Sequence, residues 1–204
     1  MYHTFLKRFF DILGALILLP LVLLEVIIFA PLIWLFDKGP VFFNATRAGK
    51  GYKPFKMYKL RSMYVNSPDI KNPDGSTYNS DHDPRVTPIG RFLRKTSLDE
   101  LPQILNVLLG DMSFIGPRPK LYVHGRLEGC VDPHFIKSFS VRPGVTGYAQ
   151  AYYRNSITQE EKLKLDAYYA ENISFTLDVR ILLKTIVVVL SCVNINNIHS
   201  TSEK

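Results

Sequence analysis

Residues Ile12–Phe36 read ILGALILLPLVLLEVIIFAPLIWLF, and 21 of these 25 positions are hydrophobic. The run exceeds the roughly 20 residues that cross a bilayer as a helix. It is too long for the apolar core of a signal peptide and lacks a small-residue cleavage site after a short core. Three features count against a plain spanning anchor. Pro20 and Pro31 each remove a backbone donor, and Glu25 places an ionisable group near the middle of the run. Positive charge also stands on both sides, with Lys7 and Arg8 before the run and Lys38, Arg47 and Lys50 after it. A spanning helix favours positive residues at one end only, whereas a helix that enters and leaves the same leaflet accepts them at both. On these grounds alone, a spanning helix and a re-entrant one broken at proline both stand.

Outside this run the chain is ordinary. It has 204 residues, 47% hydrophobic, with a net charge of +7. That composition excludes disorder and collagen, and two cysteines, Cys130 and Cys192, make no disulfide scaffold. They also contain no CxxC, which points to a reducing compartment and no cysteine-based zinc site. Residues 1–61 hold nine Lys/Arg against three Asp/Glu, and the other 143 hold sixteen against fifteen. The positive excess thus adjoins the apolar run, as expected for contact with anionic headgroups or an anionic substrate at a membrane surface. No nucleic-acid-binding motif accompanies it.

Gly39-Pro40 closes the apolar segment, and Val41–Phe43 reads as a short strand. Arg47, Lys50, Lys53, Lys56, Lys59 and Arg61 follow with no acid among them. Gly49, Gly51 and Pro54 forbid one continuous helix, so a loop and then a strand over Phe55–Arg61 are expected. That strand would put Lys59 and Arg61 on one face. The patch reads as a polybasic membrane contact, or else Lys59 or Arg61 grips a phosphate. Residues 66–85 are polar and turn-rich, a surface loop or lid. Thr87-Pro88 is an N-cap with proline at the first helical position, opening a helix to about Lys95 that carries Arg91 and Arg94.

The stretch TSLDELPQILNVLLGD, Thr96–Asp111, comes next. Ser97 and Glu100 have capping-box spacing, an apolar helical run follows, and Gly110 fits its C-cap. Pro102 is deep for a first turn and moves the start toward Asp99. In either register Asp99 and Glu100 stand at a helix N-terminus, where the backbone favours carboxylates and attracts phosphate. Adjacent acids beside Arg91, Arg94 and Lys95 suit nucleophilic attack on phosphorus, with the cations offsetting repulsion. A strand at Met112–Ile115 then ends in Gly116-Pro117-Arg118-Pro119, where two prolines restrict Arg118 in a way that suits a bidentate phosphate contact or makes a surface turn. Val141–Gly147 repeats the device around Arg142.

The string Arg91–Pro119 (RFLRKTSLDELPQILNVLLGDMSFIGPRP) resembles the bacterial monotopic phosphoglycosyl transferases, the polyprenyl-phosphate sugar-1-phosphate transferases. So do Lys56–Met63, Val141–Gln150 and Asp166–Tyr169, and the likeness runs in order from about Phe5 to Leu190. The resemblance implies a compact α/β cytoplasmic domain with a small sheet and surrounding helices, plus one N-terminal re-entrant membrane helix. It divides the chain into a membrane segment over 1–38, a catalytic domain over 39–193 and a polar tail over 194–204. It implies transfer of a sugar 1-phosphate from a UDP-sugar to a polyprenyl phosphate, undecaprenyl phosphate in most bacteria, with release of UMP. Asp99 would be the nucleophile and a ligand of Mg²⁺, and Glu100 its partner in the dyad. Arg118, Arg142, Arg94, Lys59, Arg61 and Asp166 would bind phosphate or substrate. The implied place is the cytoplasmic face of the bacterial inner membrane.

Two departures from that family stand out. Leu23-Leu24 occupy the place of a Ser-Pro break, which moves the expected break to Pro20. Tyr152 and Tyr153 precede Arg154-Asn155 where a shorter Asn-Gly-Arg-Asn string is common, so the donor sugar does not carry over from relatives. The five histidines show no metal-ligand spacing. Gln159–Glu171 reads as a solvated helix, and Ile181–Val193 as an apolar helix too short to span, packed on the core or lying at an interface. The alternative from another class is a non-enzymatic, membrane-anchored polybasic module that recruits acidic lipids or partners.

Overall fold

The structure is a computed structural model, and it describes residues 2–70, 78, 80, 83–125, 132–154 and 156–191. The polar tail and both cysteines lie outside those residues, as does half of the expected loop at 66–85. Helix α1 runs over Lys7–Asp37 after a wide turn at Tyr2–Leu6. Strands β1 (Ala45–Ala48) and β2 (Pro54–Met57) follow, then helices α2 (Pro88–Thr96) and α3 (Gln103–Leu109). After them come β3 (Ser113–Ile115), β4 (Lys120–Leu121), α4 (Pro133–Ser138), β5 (Gly144–Thr146), α5 (Tyr148–Tyr152), α6 (Gln159–Glu171) and α7 (Phe175–Ser191). The architecture is α/β, with small sheets among helices and one long apolar N-terminal helix.

Helix α1 is uninterrupted: Pro20 and Pro31 both lie inside it. The expected break at Pro20 is not seen. A proline forfeits its own hydrogen bond and crowds one carbonyl, and here tertiary packing on either side holds the helical path. The helix buries Asp11, Ala15, Val22, Glu25 and Ile33, a stripe at helical spacing, against the rest of the chain. Ala15 and Val22 join Met57, Ile104, Val107 and Met112 in one core cluster, and Ile33 joins Leu60 and Leu93 in another. The opposite face is bare and apolar, with Ile17 68% and Ile27 71% exposed. At about 46 Å for 31 residues, the helix is fastened at both ends. Arg8 donates to the carbonyls of Val107 and Leu108, and Lys7 Nζ lies 2.6 Å from Asp178 Oδ2. At the far end Arg61 grips Asp37 with both terminal nitrogens.

One sheet is antiparallel in the order β2-β1-β4, with Arg47 opposite Phe55 on one side and Leu121 on the other. The other is a parallel pair, β3 with β5, in which Ser113 faces Gly144 and Ile115 faces Thr146. The expected strand Phe55–Arg61 is shorter, because Asn106 intervenes. Its buried side chain accepts from Tyr58 N at 2.9 Å and donates to Lys56 O at 2.7 Å, so the chain leaves the ladder at Met57. Val41–Phe43 contributes one bridge, Phe42 to Leu60, rather than a strand.

The N-cap at Thr87 holds, its hydroxyl accepting from Gly90 N at 2.9 Å. The capping box at Ser97 does not. Ser97 takes a left-handed conformation as the C-cap of α2 and makes no side-chain cap. Leu98–Glu100 form a single 3₁₀ turn, and α3 begins only at Gln103, past Pro102. Gly110 closes α3 at φ +96°, as expected of a C-cap glycine. A true capping box occurs at Thr158 and Glu161, which start α6.

Candidate active site

The turn Leu98–Glu100 carries the two acids. Asp99 is held from below, since its carbonyl accepts from Leu60 N at 3.0 Å. That bond fixes Asp99 beside the segment that bears Lys59. Lys59 Nζ lies 2.7 Å from Asp99 Oδ2 and 3.3 Å from Glu100 Oε1, so one ammonium bridges the dyad. Asp99 is buried, and its Oδ2 has this ionic contact but no aligned hydrogen bond. Arg118 reaches Glu100 from the Gly116–Pro119 turn, Nη2 to Oε1 at 3.6 Å, with its own side chain largely open to solvent.

The electrostatics follow from this crowding. Burial alone would raise the Glu100 carboxyl, but Lys59 and Arg118 outweigh it and hold the acid at about 2. The reverse acts on Lys59: burial presses against its charge, and Asp99 and Glu100 raise its pKa above the ordinary lysine value. Arg94 feels both acids and donates from Nε to Ser62 Oγ at 2.8 Å. Lys59, Arg118 and Arg94 thus converge on Asp99 and Glu100 as the sequence suggests.

Three expected residues lie elsewhere. Arg61 is spent on Asp37 and on the Pro40 carbonyl, fastening the end of α1. Arg142 donates from Nε to Gly110 O at 2.8 Å, at the opposite end of α3 from the acids. Asp166 is buried on α6 in an ion pair with Lys120 at 2.8 Å, and burial still raises its pKa. Arg118 also favours its ionised form, which ties Asp166 to that turn.

Two residues were missed as site residues in the sequence. Arg47 stands mid-strand on β1, where sequence reading sees only a flanking charge. Its Nε is buried without a hydrogen-bond partner, and its guanidinium lies in the fields of Arg118 and Glu100. The signal was alternation: a cation in the middle of a short strand must face one side of the sheet. Glu25, noted only as an oddity of the apolar run, is buried with neither carboxylate oxygen hydrogen-bonded, within the electrostatic reach of Asp99. It comes from α1, so that helix forms one wall of the site.

Four cations and three acids, Glu25 among them, therefore gather around one 3₁₀ turn. Residues 2–192 match the family described as bacterial sugar transferase. The chain belongs to that family. Among relatives, a UDP-N-acetylgalactosamine-undecaprenyl-phosphate N-acetylgalactosaminephosphotransferase of Aeromonas hydrophila is 41% identical over 93% of this chain and 44% of its own length. A UDP-glucose:undecaprenyl-phosphate glucose-1-phosphate transferase of Escherichia coli is 38% identical over 90% and 40%. This bacterial sugar transferase thus spans less than half the length of those relatives. It covers 95% of the uncharacterized sugar transferase EpsL of Bacillus subtilis, at 40% identity and 98% of this chain.

Proposed function

We propose that this bacterial sugar transferase moves a sugar 1-phosphate from a UDP-sugar to a polyprenyl phosphate, undecaprenyl phosphate, at the cytoplasmic face of the inner membrane. The observation that carries the reading is the pair of buried Asp99 and half-buried Glu100, bridged by Lys59 and faced by Arg118. In the first step an Asp99 oxygen attacks the sugar-bearing phosphorus. A carboxyl–phosphate bond forms, the bond to UMP breaks, and UMP departs with the electron pair. An oxygen of the lipid phosphate then attacks the same phosphorus and frees the Asp99 carboxylate. Glu100, which Lys59 and Arg118 keep ionised, partners Asp99, and the lipid phosphate attacks as its dianion. Lys59, Arg118, Arg94 and Arg47 neutralise the charge that builds on phosphoryl oxygens.

The site also fits a magnesium ion. Asp99 Oδ2 is a buried hard oxygen without a hydrogen bond, and Glu100 lies next to it. Among the described residues no three His, Cys, Asp or Glu cluster as a self-sufficient metal cage. One or two carboxylates completed by substrate phosphates is how Mg²⁺ is held at phosphoryl-transfer sites. Asp99, with Glu100 beside it, would hold it there, and when bound it neutralises diphosphate charge.

Membrane attachment belongs to the same reading. Helix α1 is long and apolar enough to cross a bilayer, yet one face of it packs along the domain and both ends are bonded to that domain. In this reading both ends of the unbroken helix stay on one side of the bilayer, and its bare face lies in one leaflet.

UMP release from a panel of UDP-sugars, with radiolabel transfer to undecaprenyl phosphate, tests the function and names the sugar. No release from any donor would leave the polybasic-module alternative. Asp99→Asn should lower turnover at least about a thousandfold, and wild-type turnover in that variant would sink the covalent route. Incubation with donor alone should add the mass of a phosphosugar at Asp99. An unmodified Asp99 despite UMP release would mean direct displacement.

A further inference from the structure

A cavity of about 530 Å³ lies at the end of α3 away from the acids. It is lined by Lys50, Lys53 and Arg142, by one acid, Asp111, and by the rings of Phe55 and Phe139. The residues that close it explain its position. Gly110 ends α3, β2 begins at Pro54, and Asn106 straps the two together from between them. Its walls are therefore built by the same fold that builds the active site, but face a different opening.

The charge of this cavity is not accounted for by structure. Arg142 is half committed, since one nitrogen holds Gly110 O. Arg8 stands beside it, near enough to feel its charge, and caps the last carbonyls of α3. Asp111 is near Asn106 Nδ2 at 3.4 Å. Among the described residues, the side-chain ammonium groups of Lys50 and Lys53 form no hydrogen bond or ion pair, their only such contacts being backbone ones. Like charges collected at one concavity cost energy unless an anion joins them. The rim points to where the anion comes from. Leu109, next to the cavity, is 67% exposed, and the neighbouring first turns of α1 bare Phe9 and Leu13. A cationic hollow at the edge of an apolar face is the arrangement that meets a lipid headgroup, with acyl chains along the apolar side.

We propose that this cavity binds a phosphate group, and that its source is the headgroup of an anionic phospholipid, held by Lys50, Lys53 and Arg142. The inference rests on the reading that α1 seats the domain on a membrane. It adds a site separate from Asp99, which fixes the rotation of the domain about α1 so that the active site faces the leaflet.

The test uses the full chain and lysine acylation read by mass spectrometry. Vesicles of phosphatidylcholine with phosphatidylglycerol should protect Lys50 and Lys53 more than Lys56, which lies outside the cavity lining. Pure phosphatidylcholine should protect neither. Equal protection by inorganic phosphate alone would assign the cavity to soluble phosphates and overturn the lipid source. In sedimentation, Lys50→Gln with Lys53→Gln should weaken binding to the anionic vesicles about tenfold or more. Lys137→Gln with Lys164→Gln, an equal charge change on α4 and α6, should weaken it less than about threefold. Equal losses in the two variants, or no preferential protection, would mean diffuse attraction and no site. Failure of the wild-type chain to bind either vesicle would overturn the membrane reading as well, whereas binding without preferential protection overturns the cavity alone.

Discussion

The bridging ammonium of Lys59 sets what each acid of the dyad can do. Glu100 is held at about 2 against an ordinary 4.5, so the unfolded chain takes up its proton first as pH falls. Its contribution to stability is full above about pH 4.5 and drains away between there and about pH 2. Glu100→Gln should flatten acid denaturation in that window, measured by urea midpoints across pH. An unchanged pH slope would show that Lys59 and Arg118 do not act on Glu100 as described. Arg47 is the second residue whose role is open to measurement. Hydrogen bonds to a charged partner are worth about 1.5–3 kcal/mol, so Arg47→Met should raise the donor KM roughly tenfold to a hundredfold. The KM for the lipid acceptor should change much less, and Arg47→Lys should recover part of the loss. An unaltered donor KM would remove Arg47 from the site.

Among elements, the parallel pair of β3 and β5 aims Arg118. Gly116 and Gly144 lie so close that a Cβ on Gly116 would strike the Arg142 carbonyl, and one on Gly144 would strike Gly116 N. Gly116 N in turn donates to Thr146 O at 2.9 Å. Gly116→Ala should therefore cost on the order of 3 kcal/mol, read from denaturant midpoints, and should lower transfer further than the loss of folded protein explains. A variant as stable and active as wild type would mean that the turn tolerates separation of the strands. Helix α1 is the other decisive element. Its buried stripe carries packing, while Ile17 and Ile27 on the outer face are mostly exposed. Ile17→Glu with Ile27→Glu should leave the circular dichroism spectrum intact and abolish vesicle binding. Loss of helix content instead would show that those positions hold the fold.

For the whole molecule, the consequence of fastening both ends of α1 is topology. Cysteines placed before Tyr2 and after Lys204 should both resist an impermeant reagent applied outside the cell, and labelling of the first alone would establish a spanning helix. The sequence by itself determined the α/β class, the apolar helix, the Thr87 cap, the Gly110 stop and the proximity of Asp99 to Glu100. These follow from local periodicity, caps and adjacency in the chain. It also fixed the family, because the ordered motifs between Lys56 and Tyr169 are matched as a string. What it misassigned were long side chains whose partners are remote in sequence. Arg61 and Asp166 read as contacts of the substrate at the dyad, but Asp37 and Lys120 hold them, and Arg142 stands at the far end of α3 from the acids. Arg47 and Glu25 read as incidental, yet they border the dyad. Ser97 has the spacing of a cap, but it closes α2 in a left-handed conformation, and Leu60 N holds the next turn by Asp99 O. A cation or acid is committed by whichever partner comes within about 4 Å in three dimensions, and that competition is settled only when α1, β1 and α3 pack together. The proline pattern in α1 misled for the same reason. Local chemistry argued for a break, and side-chain burial along the whole helix overruled it.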